Sequence, residues 1–329
     1  MNFKRKLIIG LVIFLLVLIT SFFIFRNKIS DYLSYRAFIP KNGDFNNARI
    51  YLFFAGIFNS NRSDYQFTMG YYSWLEKRYD DALNYYSRAI DLGFSAMDRV
   101  LVDRGDIYQL KGDLNSAMAD FKKAVEIKNN PVARYRMAEI NFQWGKYDEV
   151  LSNLEYLLSL VKKDNQKVEI YNLMGRSYYA KQMYHEAINV YKKSLELNPN
   201  QPLINVWVAR AFRNSRDIQE AINQLQAVLA KSPDYKPALC TLASSYRRAR
   251  DYQNAIMMAE KGLSGEIEWD NVDCLLSLGN TYYDKKDFES AKSYLNNYLN
   301  SLNNLKLVGL EYDRVRKEAQ DLLAKIASE

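Results

Sequence analysis

One recurrence limits this chain more than any other feature. An alanine returns at Ala48, Ala82, Ala117, Ala187, Ala221, Ala255 and Ala291, with Val150 standing in once, so that successive markers lie 34, 35, 33, 37, 34, 34 and 36 residues apart. A second small residue falls twelve positions earlier in every unit after the first, at Gly70, Gly105, Ala138, Gly175, Ala209, Ala243 and Gly279. In the first unit that place holds Arg36. A large side chain precedes each marker by three positions (Phe45, Tyr79, Leu114, Tyr147, Tyr184, Ile218, Tyr252, Phe288), and another follows by four except at Ala259. A chain self-similar at this interval folds as stacked units, none of which can bury its apolar face alone.

Within a unit the spacing is helical. Gly175 and Tyr178 sit one turn apart, and Ala187, Tyr191 and Ser194 follow the i, i+4, i+7 stripe of a second helix. Small residues let the two axes approach while aromatics fill the space beside them. Breakers fall between the helices, as in KGDLNSA around Gly112 and WGKYDEV around Gly145, and Pro199 and Pro233 close second helices and open the next unit. The 26 Tyr against 13 Gly and 6 Pro favour regular, aromatic-rich packing over a loop-rich fold.

The period, the small-residue places and the terminal prolines over Phe45 to Leu295 resemble the tetratricopeptide repeat family. That resemblance implies an all-α, right-handed helical-repeat solenoid of helix–turn–helix units of about 34 residues. Its first helices line a concave groove that takes partner segments. Residues 31–60 are expected as a degenerate first repeat or membrane-proximal cap, and 61–303 as seven repeats. The chain departs from the family pattern in lacking the first-helix Trp at most units and in inserting three residues in LSLVKKDNQKV. The tail, 305–329, carries Val308, Tyr312, Val315, Ala319, Leu322 and Ile326 on one stripe, with Glu311, Asp313, Arg316, Lys317, Asp321 and Lys325 elsewhere. This fits a capping helix that covers the open end of the stack, and a docking surface for a partner helix shares the signature.

Ahead of the repeats, residues 1–6 form a short basic tail and Leu7 to Phe25 run 19 residues without a charge. At ~1.5 Å per residue that is about 28 Å, the thickness of a bilayer's hydrocarbon. Lys4, Arg5 and Lys6 would also suit a signal peptide, but the apolar run is too long and ends in SFFIF without a small-x-small cleavage site. The segment is expected to be a transmembrane helix. Arg26, Lys28, Arg36 and Lys41 follow it, nearly balancing the basic tail. The compact N-terminal cluster places the tail in the cytoplasm and the solenoid outside it, with the opposite, cytoplasmic placement as the alternative.

Catalytic constellations are missing. The one histidine, His185, cannot build a His-based triad or an H-E-x-x-H zinc site, and neither phosphate-loop pattern occurs. No cofactor or metal is expected. The net charge of +7 is interspersed with acids, which argues against a nucleic-acid surface. Asn61 to Ser63 spells a glycosylation triplet that also arises by chance. Cys240 and Cys274 stand three and five positions before their unit's small residue. Two residues at ~100° turn the thiols to opposite sides of their helices, so the expectation is two unbonded cysteines.

A protein-binding groove is what remains. The carboxylate clamp of co-chaperone members requires Lys and Asn at set first-helix places, which here hold Phe67 and Tyr71, Val102 and Asp106, Tyr135 and Glu139, and Asn172 and Arg176. That clamp is absent. Arg176 and Arg210 follow their small residues by one, and Arg213 and Arg247 follow theirs by four, with Arg248 beside them. Tyr179 and Tyr283 hold the equivalent places, as do Trp74 and Phe142 in earlier units. These residues are expected to form a basic, aromatic-flanked groove for an acidic or carboxylate-bearing protein segment, or else to be arginines paired along their own solvated helices. The function expected is a membrane-anchored, non-enzymatic scaffold or adaptor for an envelope complex. The alternatives are a regulatory or substrate-presenting subunit of a membrane-bound envelope enzyme, or a cytosol-facing receptor for targeted precursor proteins.

Overall fold

The computed structural model describes residues 3–38, 45–307 and 309–329. Met1, Asn2, Lys41 and Val308, which figure in the basic tail, the span's flank and the tail stripe above, lie outside the described residues. The described residues form seventeen α-helices and no strand. The chain divides into two compact units, 1–137 and 138–329.

The first unit holds α1 (Phe3–Phe38), α2 (Phe45–Asn59), α3 (Ser63–Leu75), α4 (Tyr79–Asp91), α5 (Met97–Leu110), α6 (Leu114–Lys128) and the start of α7 (Pro131–Gln143). The apolar span and the helix after it are continuous: α1 is one rod of 36 residues. Its second half packs on α2 and α3, and α3 pairs with α4 as α5 pairs with α6. Ser30, Ser34 and Ala37 face inward on α1, and Ala48, Leu52 and Ala55 on α2.

The second unit continues through α8 (Tyr147–Leu160), α9 (Asp164–Ala180), α10 (Tyr184–Leu197), α11 (Pro202–Asn214), α12 (Ile218–Lys231), α13 (Lys236–Arg248), α14 (Tyr252–Gly262), α15 (Val272–Asp284), α16 (Phe288–Asn304) and α17 (Leu310–Ser328). Here α9 pairs with α10, α11 with α12, α13 with α14 and α15 with α16, and the first helices α11, α13 and α15 also touch one another in order. α17 packs on α16, where Tyr312, Val315, Ala319, Leu322 and Ile326 meet a cluster of Val272, Leu275, Leu295, Tyr298 and Leu302.

The counted alanines explain themselves sterically. Each is fully buried, and so is the large residue four places on at Tyr86, Phe121, Leu154, Tyr191, Leu225 and Leu295. Burying one such side chain is worth ~1.5–3 kcal/mol. In the pairs with glycine, that large residue presses on the first helix. A Cβ at Gly70 would stand 2.6 Å from the Tyr86 ring and one at Gly105 2.5 Å from Phe121, and one at Gly175 would come closer still to the Tyr191 ring. Where the second helix carries Leu154, Leu225 or Ala259, the first helix carries Ala138, Ala209 or Ala243. Glycine thus accompanies the rings, and Gly279 opposite Leu295 is the one exception, with its would-be Cβ 2.7 Å from the leucine.

The turns share a second register. Lys77, Gly112, Gly145, Gln182, Arg216, Arg250 and Lys286, each five residues before its marker, all have positive φ between 60° and 80°. This left-handed residue stops the first helix, and the two bonds behind it close the stop, as when Gln182 N–H donates to Tyr179 O and Met183 N–H to Tyr178 O, both at 2.9 Å. An aspartate next in line then starts the second helix at Asp113, Asp251 and Asp287, whose carboxylates accept from Ser116, Asn254 and Ser290 backbone N–H groups.

Candidate functional site

Five first-helix and cap elements of the second unit, α9, α11, α13, α15 and α17, surround one cleft of about 920 Å³. Arg176, Tyr179, Arg210, Arg213, Arg247 and Arg248 all line it. Tyr283 does not: it borders a neighbouring depression of about 490 Å³ with Asn280, Asp284, Arg314 and Lys317, and only Arg247 of the six reaches both. Tyr312 of the tail stripe also lines the cleft, as do Trp207, Trp269, Asp270, Asp273 and Glu318, which were not singled out from sequence. Trp207 could have been, because it stands one turn before Arg210 and carries that guanidinium 4.9 Å above its ring.

The arginines fall into two sets. Arg210 is held by Asp273 at 3.0 Å and Arg247 by Asp284 at 2.8 Å. For these two, the alternative of pairing with nearby carboxylates is what the structure contains. The acids come from later repeats rather than from the arginines' own helices, Asp284 from the next one and Asp273 from two further on. Arg176 instead lies over the Phe142 ring at 4.6 Å, and neither it, Arg213 nor Arg248 meets a carboxylate among the described residues. Arg213 is the stressed member. Its Nε is sealed from solvent without an acceptor, and burial followed by the like charges of Arg210, Arg248 and Arg247 pushes its pKa down to about 10. It is still a cation at neutral pH, in a place that favours an arriving anion. Beside it, the buried Tyr179 accepts a hydrogen bond from Asn214 Nδ2 at 2.8 Å on its hydroxyl and packs edge-on to Trp207 at 5.2 Å.

Cys240 and Cys274 overturn their expectation. They form a disulfide with Cα atoms 4.5 Å apart, both side chains buried. The ~200° rotation was right and the conclusion drawn from it was not. In a stack, the front of one first helix meets the back of the next, so residues on opposite sides of equivalent helices are the ones that face each other. The bridge ties α13 to α15 beside the cleft, with Cys240 in the wall and Cys274 adjoining Asp273. Gly262 of α14 leaves room for it, since a Cβ there would collide with Cys274 Sγ. His185 is exposed in the first turn of α10.

A stack of paired helices with a polar cleft along its first helices defines a class, the helical-repeat proteins that hold other proteins. Family models described as tetratricopeptide repeat match residues 98–131, 168–201, 208–263 and 272–300. The chain belongs to the tetratricopeptide repeat family. Its fold is similar to that of a tetratricopeptide repeat protein from Parabacteroides merdae, with a TM-score of 0.67 at 15% identity over 81% of this chain and 99% of that one. The C-terminal part of a repeat-containing protein from Cytophaga hutchinsonii gives 0.58 at 19% identity, over 75% and 99% of the two chains. The APC/C hetero-tetramer Cut9-Hcn1 gives 0.54 at 17% identity, over 89% and 62%. Among curated proteins, DnaJ homolog subfamily C member 3 of Gallus gallus is 25% identical over 113 residues, which is 34% of this chain and 22% of the relative's length.

Proposed function

We propose that this chain is a membrane-anchored, non-enzymatic scaffold that grips an acidic or carboxylate-bearing segment of a partner protein in the cleft of its second unit. The observation that carries this reading is the set of Arg176, Arg213 and Arg248, three cations that meet no carboxylate among the described residues, around a cleft walled by Tyr179 and Trp207. Arginine offers bidentate geometry to a carboxylate, and the rings supply apolar contact beside it. A cleft of this size suits a short extended segment better than a whole domain face.

The α1 span, with mean hydropathy 2.0 over its most apolar window and every residue from Leu11 to Phe25 exposed, supports the anchor. The Cys240–Cys274 bridge supports a solenoid on the oxidising side of that membrane, since disulfides persist outside reducing compartments. That weighs against a cytosol-facing receptor and favours assembly or recruitment within an envelope complex.

Replacing Arg176, Arg213 and Arg248 together by Ala is expected to leave helical circular dichroism intact while partner capture from solubilised membranes is lost. Capture by the parent chain should weaken as salt rises. Equal recovery of partner by variant and parent at low salt would sink the reading.

A further inference from the structure

α2 presents an uncovered seam. Its sequence, FNNARIYLFFAGIFN, is apolar nearly all the way round, and a helix of that kind is covered on more than one side. Ala48, Leu52 and Ala55 pack inward, while Ile50, Phe53, Phe54 and Ile57 are 52%, 67%, 47% and 60% exposed on the opposite face. The spacing i, i+3, i+4, i+7 makes them one stripe about 10 Å long.

The direction of that stripe is fixed by α1. Ser30 Oγ donates to Ala55 O at 3.1 Å and to Asn59 O at 2.9 Å, and Asn59 Nδ2 donates to Asn27 Oδ1 at 2.7 Å. α2 therefore runs antiparallel to α1, with Ile57 nearest the end of the apolar span and Ile50 farthest from it. The stripe rises along the span's axis. A lipid surface would touch only its Ile57 end, whereas a helix standing parallel to it would cover its whole length.

We infer that the occupant is α2 of a second copy of this chain, the two copies related by a two-fold axis along the membrane normal. The inference rests on α1 being the membrane anchor. Two copies in one bilayer have parallel spans ending at the same level, so their α2 helices are parallel and in register, Ile50 on Ile50 and Ile57 on Ile57. The residue types suit that pairing: Ile50 and Ile57 are seven apart at the first core position of a heptad and Phe53 at the second, and β-branched residues at the first position favour parallel two-stranded packing. Charge does not oppose it, because Arg49 at the seam's edge is held by Glu76, the residue just past α3. The patch is self-complementary, as an isologous contact requires. One heptad is short, so the pairing draws on confinement of both copies to one membrane.

The test uses the full chain in native membranes, carrying Ile57→Cys in one version and Tyr32→Cys in another. The native cysteines are buried and bonded to each other, and Tyr32 is an exposed α1 control. Mild oxidation is expected to give a disulfide-linked homodimer with Ile57→Cys and none with Tyr32→Cys, and adding Phe53→Glu and Phe54→Glu should remove the dimer without loss of helicity. The pairing is overturned by equal cross-linking at both positions, by a cross-link to a different protein, or by no cross-link while the chain stays in alkaline-washed membranes. Release of the chain by the alkaline wash overturns the anchor, and the pairing with it.

Discussion

Tyr191 and Gly175 show what the repeat selects, residue by residue. The ring of one occupies the space where the other would carry a Cβ, so the two positions are chosen together. Gly175→Ala should destabilise the second unit by about 1–3 kcal/mol through overpacking against Tyr191. Adding Tyr191→Leu recreates the Ala209 and Leu225 pairing of the next repeat and should recover most of the loss. Thermal melts of the two single variants and the double give the coupling directly, and strictly additive losses would show that the contact is not what fixes glycine there. This level of the structure was legible in the sequence because steric pairing leaves its mark at a constant offset. The arginine pairing was not. Arg210 meets Asp273 from 63 positions away and Arg247 meets Asp284 from 37, offsets set by how first helices stack rather than by any local period.

At the scale of the element, the turn is where the chain has room for improvement. Every hairpin from Lys77 to Lys286 puts one residue in the left-handed region, yet only Gly112 and Gly145 are suited to it. A side chain there costs ~1–2 kcal/mol, against ~0.5–1 kcal/mol of extra chain entropy that glycine loses on folding. Gln182→Gly and Arg216→Gly are each expected to raise the melting temperature, by a gain of up to about 1 kcal/mol. A lower melting temperature in calorimetry would mean that those side chains hold something their turns need. The sequence showed Gly112 and Gly145 as breakers but not the other five, since Lys, Gln and Arg carry no turn signature. The continuity of α1 was hidden for a related reason: Arg26, Asn27 and Lys28 interrupt hydropathy without interrupting the helix.

For the whole molecule, the compartment and the bridge stand together. Chain taken from intact cells, denatured without reductant and treated with a maleimide reagent, should stay unlabelled at Cys240 and Cys274 until a reductant is added. Labelling before reduction would return the solenoid to the cytosolic side. The bridge also bears on load. If α1 tethers the chain and a partner is held in the cleft, tension passes through the repeats, and such arrays unravel repeat by repeat. Cys240 and Cys274 are 34 positions apart, one full period, so a stretch that would otherwise release roughly 110 Å of slack is locked to the distance between two touching helices. Under such a pull the repeat that carries Arg247 would be the last to unravel, and the link would behave as a stop on a winch rather than as a hinge.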